Sequence, residues 1–268
     1  MCNEAKTDRQ DPVTVFVGTS WKMTKTISEA QAYVQRLNGQ GEWPTGVQPF
    51  VIPPHTLIDV VRSELDPAIG IWVGAQNAHW MPNGPYTGEV SMAMVKDAGA
   101  TLVEIGHSER RSHFHETDET VNLKVLAALR ADLVPLVCVG ESREVQQRGA
   151  SESFVVDQVE AAMQRVDEAD RHRVMIAYEP VWSIGENGVP ATVDHVASVA
   201  ASVRQRFDAR AFLYGGSVTV DNGRDYMSID GIDGIFMGRS AWQADGLLSL
   251  VAQAATFISN VAMDGQRQ

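Results

Sequence analysis

The 268-residue sequence predicts an α/β fold, a single-domain (β/α)8 barrel, on three observations. Eight short apolar runs rich in Val and Ile, each bounded by Gly, Pro or polar residues, start about 20 to 40 residues apart, which leaves room for a helix and two loops each time. No linker, low-complexity tract or change of composition divides the chain. No G-x-G-x-x-G follows the first run, which removes support for the dinucleotide-binding form of the open doubly wound sheet, the main competitor. Strand count and length then favour closure.

The first dozen residues are polar and read as a frayed tail over 1–12, so the barrel is expected over 13–268. The expected strands are Val13–Gly18, Pro49–Ile52, Ile71–Ala75, Thr101–Ile105, Val134–Val139, Val174–Tyr178, Ala211–Tyr214 and Ile232–Met237. After the fifth, Val155, Val159, Ala162 and Val166 recur at helical spacing with polar residues between them. Val193–Phe207 repeats the habit with Val196, Val199, Ala200 and Val203. The connection Asn77–Val90 is rich in Pro, Gly and polar residues, and a loop of that length inside a compact domain is usually functional.

Composition narrows the function. Hydrophobic residues make up 44% and charged residues 21%, as in a soluble globular chain. No apolar run nears the roughly 18 residues of a membrane span, and the N-terminal stretch has no signal-peptide core, so a cytoplasmic protein without membrane contact is expected. Cys2 and Cys138 cannot make a disulfide framework, and Cys138 reads as a small buried residue on its strand. The net charge of −12 argues against nucleic acid as a partner, because phosphate-backbone binding needs clustered Lys and Arg. If the ligand is a small anion, the site must be positive locally, against the field of the whole chain.

In either architecture chemistry sits at the carboxyl ends of strands. Those ends carry Ser20-Trp21-Lys22, Gln76-Asn77, Gly106-His107-Ser108-Glu109-Arg110-Arg111, Gly140-Glu141, Tyr178-Glu179-Pro180, Tyr214-Gly215-Gly216-Ser217 and Gly238-Arg239-Ser240. A lone strand-end His is more often structural, a lone Glu more often pairs with an Arg, and Gly-Gly is more often a plain turn. Their coincidence at one rim is what counts. A cation, a His and a carboxylate beside Gly-rich turns able to hold phosphate through backbone N–H groups point to proton transfer next to a carbonyl. His113 and His115 lie two apart in an expected helix and share no face, and no Cys or carboxylate cluster has ligand spacing, so no metal is expected. Ser108 and Ser217 lack a nucleophile elbow.

The segments Ser20-Trp21-Lys22-Met23, GAQN (Gly74–Asn77), TGEVS (Thr87–Ser91), VEIGHSERR (Val103–Arg111), YEPVW (Tyr178–Trp182) and YGGSV (Tyr214–Val218) resemble triosephosphate isomerase, in family order and over most of the chain. The resemblance implies a TIM barrel, usually a homodimer, that interconverts phosphorylated ketose and aldose without a cofactor. It implies Glu179 as the base, His107 as the neutral electrophile and Lys22 as the positive charge, with Glu109 and Tyr214 in support. It makes Pro180–Ala191 a mobile lid whose Gly185 N–H closes on phosphate, joined by Ser217 and the N–H groups around Gly216 and Gly238. It sends Thr87 into the partner subunit's site.

Three departures bear on the substrate. Ser20 stands where the family has Asn. The lid, Ser183–Thr192, is one residue longer, with Glu186-Asn187-Gly188 at its tip. Gly238-Arg239 replaces a Gly-Gly pair, which puts Arg239 among the phosphate-side candidates. The combination is similar to a divergent branch of the family that converts L-erythrulose 1-phosphate into D-erythrulose 4-phosphate in tetritol catabolism. There the carbon that receives the carbonyl bears an extra CH₂OH, and Ser20 would leave room for it. Triose phosphate isomerisation and a catalytically silent sugar-phosphate-binding barrel remain the alternatives at this point.

Overall fold

A computed structural model of the protein describes residues 14–41, 43–185 and 187–265. The expected tail over 1–12, Val13 of the first expected strand and Glu186 at the lid tip lie outside them.

The apolar runs become eight strands: β1 (Val15–Ser20), β2 (Val47–Ile52), β3 (Trp72–Ala75), β4 (Leu102–Ile105), β5 (Val134–Val139), β6 (Met175–Tyr178), β7 (Ala211–Tyr214) and β8 (Gly234–Met237). Each pairs in parallel with the next, and β8 returns to pair with β1, so the sheet closes in sequence order. A parallel sheet with helices outside and a filled interior buries both faces of every strand, which is why these runs read as continuously apolar rather than alternating. One set, including Val17, Val51, Val103, Val137, Ile176 and Ile235, packs against the helices. The other, including Phe16, Phe50, Leu102, Leu136, Leu213 and Phe236, fills the barrel.

The helices form where the periodicity places them. Ser151–Ala162 buries Val155, Val159 and Ala162, while Val166 lies beyond its end and is still buried. Val193–Arg204 begins at the Thr192 cap, whose hydroxyl accepts from the His195 N–H, and buries Val196, Val199, Ala200 and Val203. It stops short of the expected Phe207. The connection 77–90 holds neither helix nor strand; the bridge from His79 to Ser91 and the bond from Lys124 Nζ to Asn77 Oδ1 at 2.7 Å help to pin it. No helix among the described residues is long and apolar enough to cross a membrane.

The first strand differs most from expectation. It runs two residues further, through Thr19 and Ser20, because pairing with β2 continues to Ser20 opposite Ile52. Both side chains are polar yet buried, so hydropathy alone ends the strand too early. Within β1, Gly18 faces the barrel interior, and a Cβ there would collide with the Phe50 ring, which stacks on Phe236 at 5.7 Å between centroids.

Gly18→Ala should therefore destabilise the barrel by about 2 kcal/mol or more, the scale of overpacking in a close-packed core. Urea unfolding of the variant and wild type checks it, and coincident midpoints would count against this packing.

Candidate active site

Strands β1, β4 and β6 deliver three side chains to one mouth. Lys22 lies two residues past β1 with φ +53°, a left-handed conformation unusual for a lysine. Its carbonyl is held by the Gln76 side-chain amide at 2.9 Å, and the Trp242 indole N–H donates to the Ser20 carbonyl at 3.0 Å. The Lys22 ammonium donates to Glu109 Oε1 at 2.7 Å. Burial works against its charge, but that bond and the fields of Glu179, Glu109 and Glu104 outweigh it and hold the ammonium above the usual lysine range.

His107 follows β4 and caps the helix Ser108–His113. Its Nδ1 accepts from the Glu109 backbone N–H at 3.1 Å, which requires an unprotonated Nδ1 and leaves Nε2 as the protonated nitrogen of a neutral ring. Nε2 stands 3.6 Å from Glu179 Oε2, and both residues are buried. Glu179 Oε2 has no hydrogen-bond partner among the described residues. A Cβ at Gly215 would lie 2.7 Å from Glu179 Cγ, so the β7 turn has room for that carboxylate only because it is glycine.

A cavity of about 700 Å³ joins Ser20, Lys22, His107, Glu109 and Glu179 to a second wall made by Gly185, Gly216, Ser217, Gly238 and Arg239. The structure thus brings together every site residue expected from the sequence except two. Thr87 is exposed on the 77–90 loop and does not line the cavity. Tyr214 is buried behind the Gly-rich turn, where its hydroxyl meets Ser183 Oγ at 3.2 Å.

The lid is tied down on both sides. Trp182 donates its indole N–H to Glu141 Oε1 at 2.8 Å, and the fully buried Glu141 also accepts from Tyr178. Ser217 gives its hydroxyl to the Ser183 carbonyl and its N–H to Ser183 Oγ, so both donors expected to face phosphate serve the lid here. Arg239 Nη2 likewise donates to the Gly185 carbonyl at 2.6 Å. The arginine that replaces a glycine of the turn therefore reaches across to the lid.

Two site residues escaped the sequence reading. Glu141 stood in the strand-end roster without a role. Glu104 has no role in the expectation drawn from the VEIGHSERR segment, although an acid in a strand buried on both faces is itself a signal. It is 3% exposed, lines the same cavity, and accepts from Ser20 Oγ at 2.8 Å on Oε2, while Cys138 Sγ lies 3.9 Å from its Oε1. Burial pushes its carboxyl up to about 7; His107, Ser20 and Lys22 pull against that, and Glu179 adds to it. Cys138 is buried, as expected of a small residue on β5, and its thiol is pushed up by the same burial.

A family model described as triosephosphate isomerase matches residues 15–254. Among curated relatives, the L-erythrulose-1-phosphate isomerase of Mycolicibacterium smegmatis is 47% identical over 245 residues, covering 90% of this chain and 93% of that protein. Those of Mesorhizobium japonicum and Rhizobium etli, which carry the same name, are 44% and 46% identical, over 92% and 91% of this chain and 99% and 94% of their own lengths.

The raised Glu104 carboxyl has a consequence for stability. Between about pH 4.5 and 7 the native protein keeps a proton that the unfolded chain releases, so Glu104 takes away stability as pH rises through that window and its effect levels off above it. Glu104→Gln should remove this component, a difference on the order of 3 kcal/mol across the window. Urea unfolding of both proteins at intervals from pH 4.5 to 7.5 tests it, and parallel profiles would show that Glu104 does not titrate there.

Proposed function

Because the chain belongs to the triosephosphate isomerase family and is an isomerase, we propose that it interconverts L-erythrulose 1-phosphate and D-erythrulose 4-phosphate through an enediolate. The observation that carries the chemistry is the unpartnered, buried Glu179 Oε2 facing His107 Nε2 at 3.6 Å. Glu179 takes the proton from the carbon that bears the hydroxyl and the CH₂OH, and His107 donates its Nε2–H to the neighbouring carbonyl oxygen. Glu179 then returns a proton to that neighbouring carbon, the hydroxyl on the first carbon gives its proton back to His107 Nε2, and the carbonyl ends next to the CH₂OH group. One proton leaves carbon and one returns to carbon, with exchange against solvent while it resides on Glu179, so the step needs no oxidant or reductant. So weak a carbon acid ionises only where fixed donors stabilise the enediolate in a site closed to water, which is the work of His107, Lys22 and the lid.

The phosphate is held at the wall made by Gly185, Gly216, Ser217, Gly238 and Arg239. Its arrival recruits Ser217 and the lid N–H of Gly185, and Arg239 steadies the lid through the Gly185 carbonyl. Glu109 keeps Lys22 placed and charged.

Four carbons rather than three is favoured by Ser20, where the family has Asn, and by the name shared among the relatives. The pathway is then breakdown of tetritols in the cytoplasm. Room for one small group alone favours the longer substrate by only about 1–3 kcal/mol, so some triose phosphate turnover accompanies it.

The active form is a homodimer in which Thr87 reaches the partner's site. Met23 is 97% exposed beside Lys22, and Met81 and Tyr86 are exposed on the 77–90 loop, which starts next to the Gln76 that holds Lys22. Apolar side chains so placed beside the mouth ask for a cover.

kcat/KM should be higher for L-erythrulose 1-phosphate than for dihydroxyacetone phosphate, and a clear preference for the triose would overturn the four-carbon reading. Glu179→Gln should lower kcat by about 10²–10⁴-fold, the range of positioned acid–base catalysis. Wild-type protein in D₂O should wash deuterium into these substrates, and no exchange into either would leave a binding-only barrel. Sedimentation velocity at tens of micromolar should show a dimer, and a monomer there would remove Thr87 from the site.

A further inference from the structure

The floor of the cavity holds a carboxyl to which the proton transfer gives no task. Inward residues of β4 alternate from Leu102 to Glu104, so Glu104 lies inside the barrel, one pleat deeper than the strand end that leads to His107. Ser20 ends β1 and meets it across the floor. From these placements we infer that Glu104 and Ser20 form a specificity subsite that receives the terminal hydroxyl of the substrate's CH₂OH group. The inference rests on the four-carbon reading above.

Direction comes from the barrel. The phosphate turns follow β7 and β8, and β4 stands opposite β8 in the ring of eight. With phosphate at those turns and the reacting carbons between Glu179 and His107, the carbon remote from phosphate faces the β4 side of the floor. That carbon is the one bearing the CH₂OH.

Chemistry fits the placement. Ser20 gives its proton to Glu104 Oε2, so Ser20 Oγ is left to accept, while Glu104 Oε1 accepts when the carboxyl is ionised and can donate when it is protonated; a primary hydroxyl, both donor and acceptor, suits either form. Among the described residues, Glu104 Oε1 meets the weak thiol of Cys138 at 3.9 Å. The surrounding floor is apolar, with Ile52, Leu102 and Phe236 in the same cluster, and a carboxyl there costs stability unless it is well partnered. A triose phosphate carries no hydroxyl to this point and leaves the pair short of a partner. Space alone discriminates by about 10–200-fold, whereas buried polar groups left unpaired by the shorter substrate can extend rejection toward 10⁴–10⁵.

The test compares wild type, Glu104→Ile, Glu104→Gln and Ser20→Ala on L-erythrulose 1-phosphate and dihydroxyacetone phosphate, with thermal melts of each. The ratio of kcat/KM for the tetrulose over the triose should fall at least about tenfold in Glu104→Ile, with KM for the tetrulose carrying most of the change. Glu104→Gln, whose amide oxygen still accepts, should keep more of the ratio, and Ser20→Ala should lose part of it. If Glu104→Ile does not fold, the order wild type, Gln variant, Ala variant decides. An equal loss on both substrates, or an unchanged ratio, would overturn the subsite. If the wild type turns over only the triose, the four-carbon reading has failed. The subsite is then read from inhibition of triose turnover by L-erythrulose 1-phosphate, where a Ki about tenfold weaker in the Glu104 variants upholds it and an unchanged Ki removes it.

Discussion

Glu179 occupies a slot framed by two strand ends that lack side chains. At the end of β5, a Cβ on Gly140 would strike the Glu179 carbonyl, and at the end of β7 one on Gly215 would press on its side chain. With both absent, β6 sits close enough to its neighbours for the Glu179 N–H to bond the Val139 carbonyl at 2.7 Å and the Gly215 N–H to bond the Tyr178 carbonyl at 2.8 Å. Those bonds continue the barrel ladder past the strand ends. The carboxylate is thereby aimed at His107 by the sheet itself, and a rigid element positions a reacting group better than a loop does. The segment expected to act as a lid begins at the next residue, Pro180, and so hangs from a fixed point.

The same rigidity explains how a chain of net charge −12 handles an anion. Three carboxyls, Glu104, Glu109 and Glu179, surround Lys22, and their combined field keeps its ammonium charged despite burial. Glu109 is half exposed, so its bond to Lys22 lies on the solvent side of the site. Burial leaves Glu104 partly protonated near neutral pH, which reduces the negative charge that an arriving anion meets. His107, neutral by virtue of the backbone N–H on its Nδ1, contributes a donor without a counter-charge. Attraction is local and made of few groups, and the acidic excess elsewhere serves solubility.

Strand order and the strand-end roster were legible because a closed parallel sheet gives each strand the same signature, an apolar run punctuated by polar or Gly residues. Thr19 and Ser20 show where that rule stops: they are polar and buried, and only pairing with β2 reveals that the strand continues. Glu104 was hidden for a related reason, since within an apolar run a single acid reads as a break in pattern until the opposite strand supplies its partner 84 residues away. Arg239 was readable as an oddity in a Gly-rich turn, but its target, a lid carbonyl 54 residues distant, is a matter of three-dimensional reach. Ser217 kept its expected place at the cavity wall and showed a second set of partners in the lid.

These placements divide the site by the kind of group that reads the substrate. On the function proposed above, phosphate is met largely by backbone at the ends of β7 and β8, and the reacting carbons by Glu179 and His107. Both are fixed by the barrel and suit any phosphorylated ketose that forms an enediol next to its phosphate-bearing carbon. On the subsite inferred above, the inward side chains one pleat below, Ser20 and Glu104, register what lies beyond those carbons. Beneath them the stacked Phe50 and Phe236, with Leu102 and Leu136, close the barrel as a packed layer. A substrate can therefore grow toward the floor until it meets that layer, and a longer chain would have to displace close-packed aromatic rings. Substrate length is thus limited by core packing, while recognition of the added hydroxyl falls to the polar pair resting on it.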